Sequence, residues 1–363
     1  MAEWKECLLG DLITFQRGHD LPKSKMSGNG YPVVGSNGII GFHNEYTTEY
    51  PSITVGRSGN VGKPYIVYGR SWSHNTTLYI KEFKGTDPVF IYYFLQTLDL
   101  GNYAGGSAVP TLNRNHIHSL NVRVPADVST QEKIANTLKA LDDKIDKNTD
   151  INKNLEQQAV AVFNKFYAAS TNQQPFTTLI NVLGGGTPKT GNPEFWDGSI
   201  PFFTPKDVGT PYTFKTEKYI TELGLKHCNS RLYPTNTTFV TARGTVGKIS
   251  LAGVPMAMNQ SCYALTSEIV DPLLVYFYVL KAVNALKHKA SGAVFDAIVT
   301  RDFDGEIINI LSDTDSEAAL SIIKPMMEVI HNNSKENMRL SAARDTLLPK
   351  LMSGELDVSG IDL

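Results

Sequence analysis

The sequence predicts a mixed α/β (α+β) protein: two similar heads separated by two long antiparallel coiled-coil helices, arranged as a pseudo-twofold internal repeat. Three observations predict it. The halves of the 363-residue chain match at a shift of about 185 residues. Each half opens on short β-branched and aromatic runs split by Gly, Pro and Asn, and each closes on a long apolar stripe in 4-3 spacing.

The repeat is sparse in identities but consistent in order. Gly59-Asn60-Val61-Gly62-Lys63 falls on Gly244-Thr245-Val246-Gly247-Lys248, and Ser107-Ala108-Val109 on Gly292-Ala293-Val294. With a one-residue slip, the run His74 to Tyr79 falls on Met258 to Tyr263, and at the front Pro22-Lys23 pairs with Pro188-Lys189. Four segments follow: a head over 1–125, a helix over 126–170, a second head over 171–311 and a second helix over 312–363.

Taken in order, Ile53–Val55, Tyr65–Tyr68 and Thr77–Ile80 read as strands of the first head. Asp87 to Leu95 reads as a helix with Pro88 in its first turn, and Asp271 to Leu280 repeats that signature. The first long helix carries Ile134, Leu138, Leu141, Ile145, Asn148, Asn152, Leu155, Ala159, Val162 and Phe166 in strict 4-3 spacing. The second carries Leu320, Ile323, Met326, Ile330, Asn333, Asn337, Leu340, Arg344, Leu347 and Leu351. Capping boxes are expected at Ser129…Glu132 and Thr314…Glu317, and a kink or restart at Pro325. The asparagines occupy equivalent places, where a buried amide opposite its partner fixes register. An antiparallel pair is the simplest arrangement, and packing of each stripe on its own head is the alternative. A helix of about 35 residues spans on the order of 50 Å. Two heads so spaced would suit one ligand contacted more than a turn of duplex DNA (about 34 Å) apart.

Composition narrows the chemistry. Charged residues are 19% and aromatics 10%, as in globular domains. Cys7, Cys228 and Cys262 are odd in number and far apart, so neither a disulfide framework nor a zinc site is expected. No run of 18 apolar residues and no basic leader is present, which predicts a cytoplasmic protein without membrane contact. A net charge of −2 counts against a simple DNA binder, whose positive charge would have to be concentrated on one face or supplied by a partner.

The tempting phosphate loop, Gly56 to Lys63, has the wrong spacing for nucleotide binding and is followed by Pro64. It reads instead as a glycine-turned loop presenting Arg57, Ser58, Asn60 and Lys63, with Arg243, Thr245 and Lys248 as counterparts. Arg, Lys and Asn in such a loop can hold phosphates or read base edges; a hairpin turn with solvated charges is the plainer alternative. Lys23, Lys25, Asn75, Thr187, Lys189, Lys206, Asn259 and Gln260 complete the candidate DNA contacts. For catalysis the sequence is poor: His116 and His118 lack a third ligand, and no nucleophile elbow or methyltransferase motif occurs. No catalytic residue and no metal site is therefore assigned.

Three segments carry a resemblance. Gly185-Gly-Thr-Pro-Lys-Thr-Gly-Asn-Pro-Glu-Phe-Trp-Asp-Gly-Ser-Ile-Pro-Phe202 resembles the opening of a target-recognition domain in specificity subunits of type I restriction–modification systems. Ser129-Thr-Gln-Glu-Lys-Ile-Ala135 resembles the start of their spacer helix, and Leu348-Pro-Lys-Leu-Met-Ser-Gly-Glu-Leu356 is similar to their C-terminus. The resemblance implies a non-catalytic reader of double-stranded DNA, each recognition domain taking one half of a bipartite target. It also implies two modification (methyltransferase) subunits carrying S-adenosylmethionine, and restriction (translocase/endonuclease) subunits using ATP and Mg. No cofactor would be bound by this chain. The rivals are a non-DNA coiled-coil scaffold with two ligand-binding heads, or a component with its own methyltransferase or nuclease activity.

Overall fold

A computed structural model describes residues 3–106, 110–289 and 297–358. The expected match of Ser107–Val109 with Gly292–Val294 lies outside the described residues. The chain divides into two compact units: unit 1 is Met1–Ile145 with Arg339–Leu363, and unit 2 is Asp146–Met338.

In unit 1 the strands Ile13–Arg17, Thr77–Phe83, Ser52–Gly56 and Pro64–Val67 form an antiparallel sheet in that order. A second sheet sets Tyr31–Gly35 between Gly38–His43 and the parallel strand Trp72–Ser73. Trp4–Leu8 pairs with Asn121–Pro125, so the head closes on itself just before the first long helix. The strand Ser52–Gly56 is buried throughout, as a central strand covered on both faces should be.

Unit 2 repeats the plan. Asn181–Gly184, Cys262–Thr266, Thr238–Thr241 and Ile249–Ala252 take the same order, with Tyr212–Thr213 added beyond the last. Trp196–Phe203 lies between Lys218–Ile220 and the parallel strand Ala257–Met258, and Gln173–Pro175 pairs with Ile307–Asn309. The mixed α/β fold with an internal repeat is thus as the sequence predicts.

Backbone hydrogen bonds fix the correspondence more tightly than side-chain identity did. Arg57 N donates to Thr76 O at 2.8 Å, and Ala242 N to Ser261 O at 2.8 Å. Thr77 N donates to His74 O at 2.9 Å, and Cys262 N to Asn259 O at 3.3 Å. The shift stays constant here, so the expected one-residue slip is corrected. Asn75 corresponds to Gln260, not Asn259.

The helix after the central strands is Pro88–Leu95 in unit 1, where the Asp87 carboxylate accepts from Phe90 N at 2.7 Å. Its counterpart, Pro272–Lys289, is longer, and its Phe277 and Tyr278 pack on Phe163 with ring centroids 5.4 and 5.1 Å away.

The two long helices are Val128–Ala169 and Asp313–Ser353. Their caps differ from expectation. Asp127 accepts from Ser129 N at 2.8 Å, and Ser312 Oγ accepts from Asp315 N at 3.1 Å, so each helix begins earlier than Ser129 or Thr314. A short polar side chain just upstream intercepts the first free N–H groups before the predicted boxes can form. Pro325 causes no restart: Asp313–Ser353 is one helix. Proline removes a single ladder bond there, while Ile323, Met327 and Ile330, all buried, hold the turns on either side. The second stripe accordingly runs through Met327, with Met326 only partly buried beside it.

The helices pair antiparallel within each unit. In unit 2, Asn148 Nδ2 donates to Asn337 Oδ1 at 2.9 Å, and Asn333 Nδ2 to Asn152 Oδ1 at 2.9 Å. Asn152 Nδ2 also reaches Ser334 Oγ at 3.2 Å, and Leu155 packs against the core. In unit 1, Leu138 is buried, and Leu141, Ile145 and Leu340 are half-buried. Arg344, an odd residue for a stripe, is explained by Asp142: Nη1 lies 2.6 Å from Asp142 Oδ1, whose other oxygen accepts from Tyr93 Oη at 2.5 Å.

Candidate nucleic-acid interface

The glycine loop of unit 1 joins Ser52–Gly56 to Pro64–Val67. Gly59 and Gly62 both have φ of +83°, and a Cβ on Gly62 would stand 2.2 Å from Gly101 N. A Cβ on Gly56 would stand 1.9 Å from Asn60 O. Only glycine fits these places, which is why a loop this tight can form. Gly56 N donates to Lys63 O at 3.0 Å and Gly62 N to Gly56 O at 2.8 Å.

Unit 2 builds the same loop. Thr241 N donates to Lys248 O at 2.9 Å, Gly247 N to Thr241 O at 2.8 Å, and Gly244 and Gly247 again have positive φ. In this register Arg243 stands at Ser58, Thr245 at Asn60 and Lys248 at Lys63, while Arg57 corresponds to Ala242. The scaffold is shared and the side chains on it differ.

In unit 1 a cleft of about 600 Å³ lies beside the loop, lined by Arg17, Arg57, Arg114 and His116 among others, with no acidic residue among the described residues of its lining. Of the predicted contacts in this unit, only Arg57 lines it. Ser58 and Asn60 are half-buried in the loop and Lys63 is exposed at its end. Lys23 and Lys25 lie exposed on the short helix Lys23–Lys25. Asn75 donates to Asp20 Oδ1, which also receives Arg17 Nη2 at 3.0 Å. That amide, foremost, and then the Arg17 charge hold the Asp20 carboxyl below the usual carboxylate range.

In unit 2 a cleft of about 430 Å³ gathers Thr187, Lys206, Arg243 and Asn259 with Trp196 and Lys218. Lys206 pairs with Glu217 at 3.5 Å, and the Lys218 ammonium sits 5.5 Å from the Trp196 ring centroid. Thr245 Oγ donates to Pro205 O at 3.3 Å, and Gln260 accepts from Thr187 Oγ. Lys189 and Lys248 are exposed outside this cleft.

Arg17, Arg114, Trp196 and Lys218 were not singled out from the sequence. Arg17 ends a strand, Arg114 begins a five-residue helix, and Trp196 and Lys218 lie on paired strands. Trp196 lies within the 185–202 segment quoted for the resemblance, whereas Arg17, Arg114 and Lys218 carry no motif and only the fold brings them to the clefts. For Arg17 the available signal was its place immediately before Gly18, whose Cβ would stand 2.1 Å from His74 O.

His118 has a structural task. Its Nε2 accepts from Phe15 N at 2.9 Å, and burial, with Lys84 and Arg114 nearby, lowers its pKa. Burial pushes the Cys262 thiol up to about 12, which makes it a poor nucleophile. Among the described residues no group of three or more His, Cys, Asp and Glu is placed to hold a metal ion, and no helix is long and apolar enough to cross a membrane.

Residues 1–157 and 177–338 match the family described as type I restriction modification DNA specificity domain. The chain belongs to that family. The first match covers most of unit 1 and the second most of unit 2. Among curated relatives, the chain is 28% identical over 162 residues to the type I restriction enzyme MjaIX specificity subunit of Methanocaldococcus jannaschii, covering 43% of this chain and 38% of that one. It is 21% identical to the HindI specificity subunit of Haemophilus influenzae, over 74% of this chain and 77% of the relative. The EcoR124I/EcoR124II specificity subunit of Escherichia coli is 38% identical over 100 residues, 26% of this chain and 24% of its own. The matched part thus spans well under half of the first and third relatives and about three quarters of the second. The crystal structure of the type I S subunit from M. genitalium shares the fold, with a TM-score of 0.66 at 15% identity over 96% of each chain.

Proposed function

We propose that this chain is the DNA sequence-specificity subunit of a type I restriction–modification complex. Each recognition domain reads one half of a bipartite target in double-stranded DNA. The observation that carries this is the duplicated loop, built on the same backbone bonds in both units and presenting Arg57 and Lys63 in one, Arg243 and Lys248 in the other. A shared scaffold with divergent polar side chains suits two similar readers of two different sequences.

The two long helices set the gap between half-sites and dock two modification subunits. Those subunits bring S-adenosylmethionine and flip the adenines out of the duplex for methylation. Restriction subunits, with ATP and Mg, join the same assembly. The chain itself reads and organises rather than catalyses. Its net charge of −2 fits this role, because the partners supply much of the grip on phosphate.

Exchange of residues 171–311 for the matching domain of another specificity subunit tests the reading. One half of the methylated motif changes while the other half and the gap stay as they were. A motif changed in both halves, or in neither, contradicts it.

A further inference from the structure

Among the described residues lining the cleft of unit 1, Arg17 is the cation with a carboxylate partner. Arg17 ends the strand Ile13–Arg17, paired there with Leu78. Behind it, Gly18 N donates to Thr77 O at 3.0 Å and His19 N to Ser73 O at 2.8 Å, so its backbone is held on both sides. Its guanidinium Nη2 donates to Asp20 Oδ1 at 3.0 Å, and Asn75 donates to the same oxygen. Guanidinium, carboxylate and amide therefore form a relay from the strand end to the turn at His74–Thr77. Arg57 and Arg114 line the same cleft, and no carboxylate pairs with either among the described residues.

We propose that Arg17 is the guanine-reading residue of unit 1, with Asp20, fixed by Asn75, as its positioning residue. This rests on the DNA-specificity reading above and names a base for one of its half-sites. Arginine has five N–H donors in a rigid fork, and Asp20 occupies one, leaving enough for the paired O6 and N7 acceptors on the major-groove edge of guanine. A phosphate close enough to take Arg17 would also come within a few ångströms of the Asp20 carboxylate, and like charges at that range repel. A base edge has no such charge, so the pair tolerates a base where it resists a phosphate. Holding phosphate falls to Arg57 and Arg114, which have no such acid beside them.

Unit 2 sharpens the inference. Gly184 pairs with Tyr263 as Arg17 pairs with Leu78, which puts Gly184 at the position of Arg17. Thr187 stands for Asp20 and Gln260 for Asn75, and the bridge between those two survives as a hydroxyl–amide hydrogen bond. The buttress is retained while the cation and its acid are gone. Guanine reading by this device belongs to the unit 1 half-site alone.

The test uses the chain assembled with its modification subunits. Exchange of residues 1–125 first identifies the half-site read by unit 1. Duplexes carrying each base-pair replacement in that half-site are then compared in binding. The intact complex discriminates against replacement of one G·C pair by about 5- to 150-fold, the range of a bidentate contact. Arg17→Ala and Arg17→Lys both lose discrimination at that pair and keep it at the others. Lysine retains the charge but not the fork, so its failure separates reading from charge. Asp20→Asn weakens discrimination at the same pair while non-specific affinity holds or rises, because a negative charge near the backbone is removed. Three results overturn the proposal. In the first, both Arg17 variants leave discrimination intact. In the second, Arg17→Ala weakens binding equally to all duplexes with a salt slope lower by about 1, the behaviour of a phosphate contact. In the third, the intact complex shows no base preference in either half, which overturns the DNA-specificity reading as well.

Discussion

Gly56 and Gly62 each leave no room for a β-carbon because another stretch of backbone fills the place. In Gly56→Ala the new Cβ stands 1.9 Å from Asn60 O, and in Gly62→Ala 2.2 Å from Gly101 N at a φ of +83°. Backbone cannot swing aside as a side-chain tip can, so each substitution costs about 1–3 kcal/mol or more and disturbs the loop that carries Arg57. Gly247→Ala in unit 2 is strained by its φ of +71° but is milder, because its Cβ meets side chains, Lys287 at 2.5 Å and Val283 at 3.2 Å, rather than backbone. Thermal melting of the three variants should rank Gly247→Ala as the least affected; a larger loss there than in Gly56→Ala contradicts the geometry. His118 adds a pH dependence. Its folded pKa is lowered, so the unfolded chain binds the proton more readily and stability falls as pH drops below the ordinary imidazole value of about 6.5. His118→Gln keeps an acceptor for Phe15 N but does not titrate. Urea melts at pH 8 and pH 5.5 should show the wild type losing more stability than this variant over that interval.

At the scale of the element, the paired asparagines are the feature to test. Asn152 with Asn333, and Asn148 with Asn337, place amides in a largely apolar seam. Asn152→Leu leaves the Asn333 amide and Ser334 without that partner and destabilises by about 1–3 kcal/mol. The double variant Asn152→Leu with Asn333→Leu recovers most of that loss, because no orphan amide is left. A double-mutant cycle measures this directly, and additive losses would refute mutual satisfaction. The long helices were legible in the sequence because their 4-3 spacing persists over many turns, which chance seldom sustains. Their starts were not. Asp127 and Ser312 compete with Ser129 and Thr314 as caps, and a choice between neighbouring polar residues is made by backbone geometry rather than residue type. Met326 and Met327 pose the same problem, since adjacent apolar residues on a straight helix drift across a strict seven-residue repeat.

For the whole molecule, the duplicated architecture was legible because glycine loops recur at one fixed shift, while the clefts beside them were not. Arg17 and Arg114 lie far apart in sequence and share a cleft only through the fold, and their unit 2 counterparts differ, so self-comparison could not find them. Divergence of the polar residues on a common frame hides the cleft residues from self-comparison. In the proposed role this chain decides which DNA is methylated. Sequencing N6-methyladenine in cells that express the modification subunit with and without this chain tests it most directly. The expected result is methylation in one split motif with a fixed gap, present only when the chain is expressed. The same methylation pattern in cells lacking the chain would contradict it.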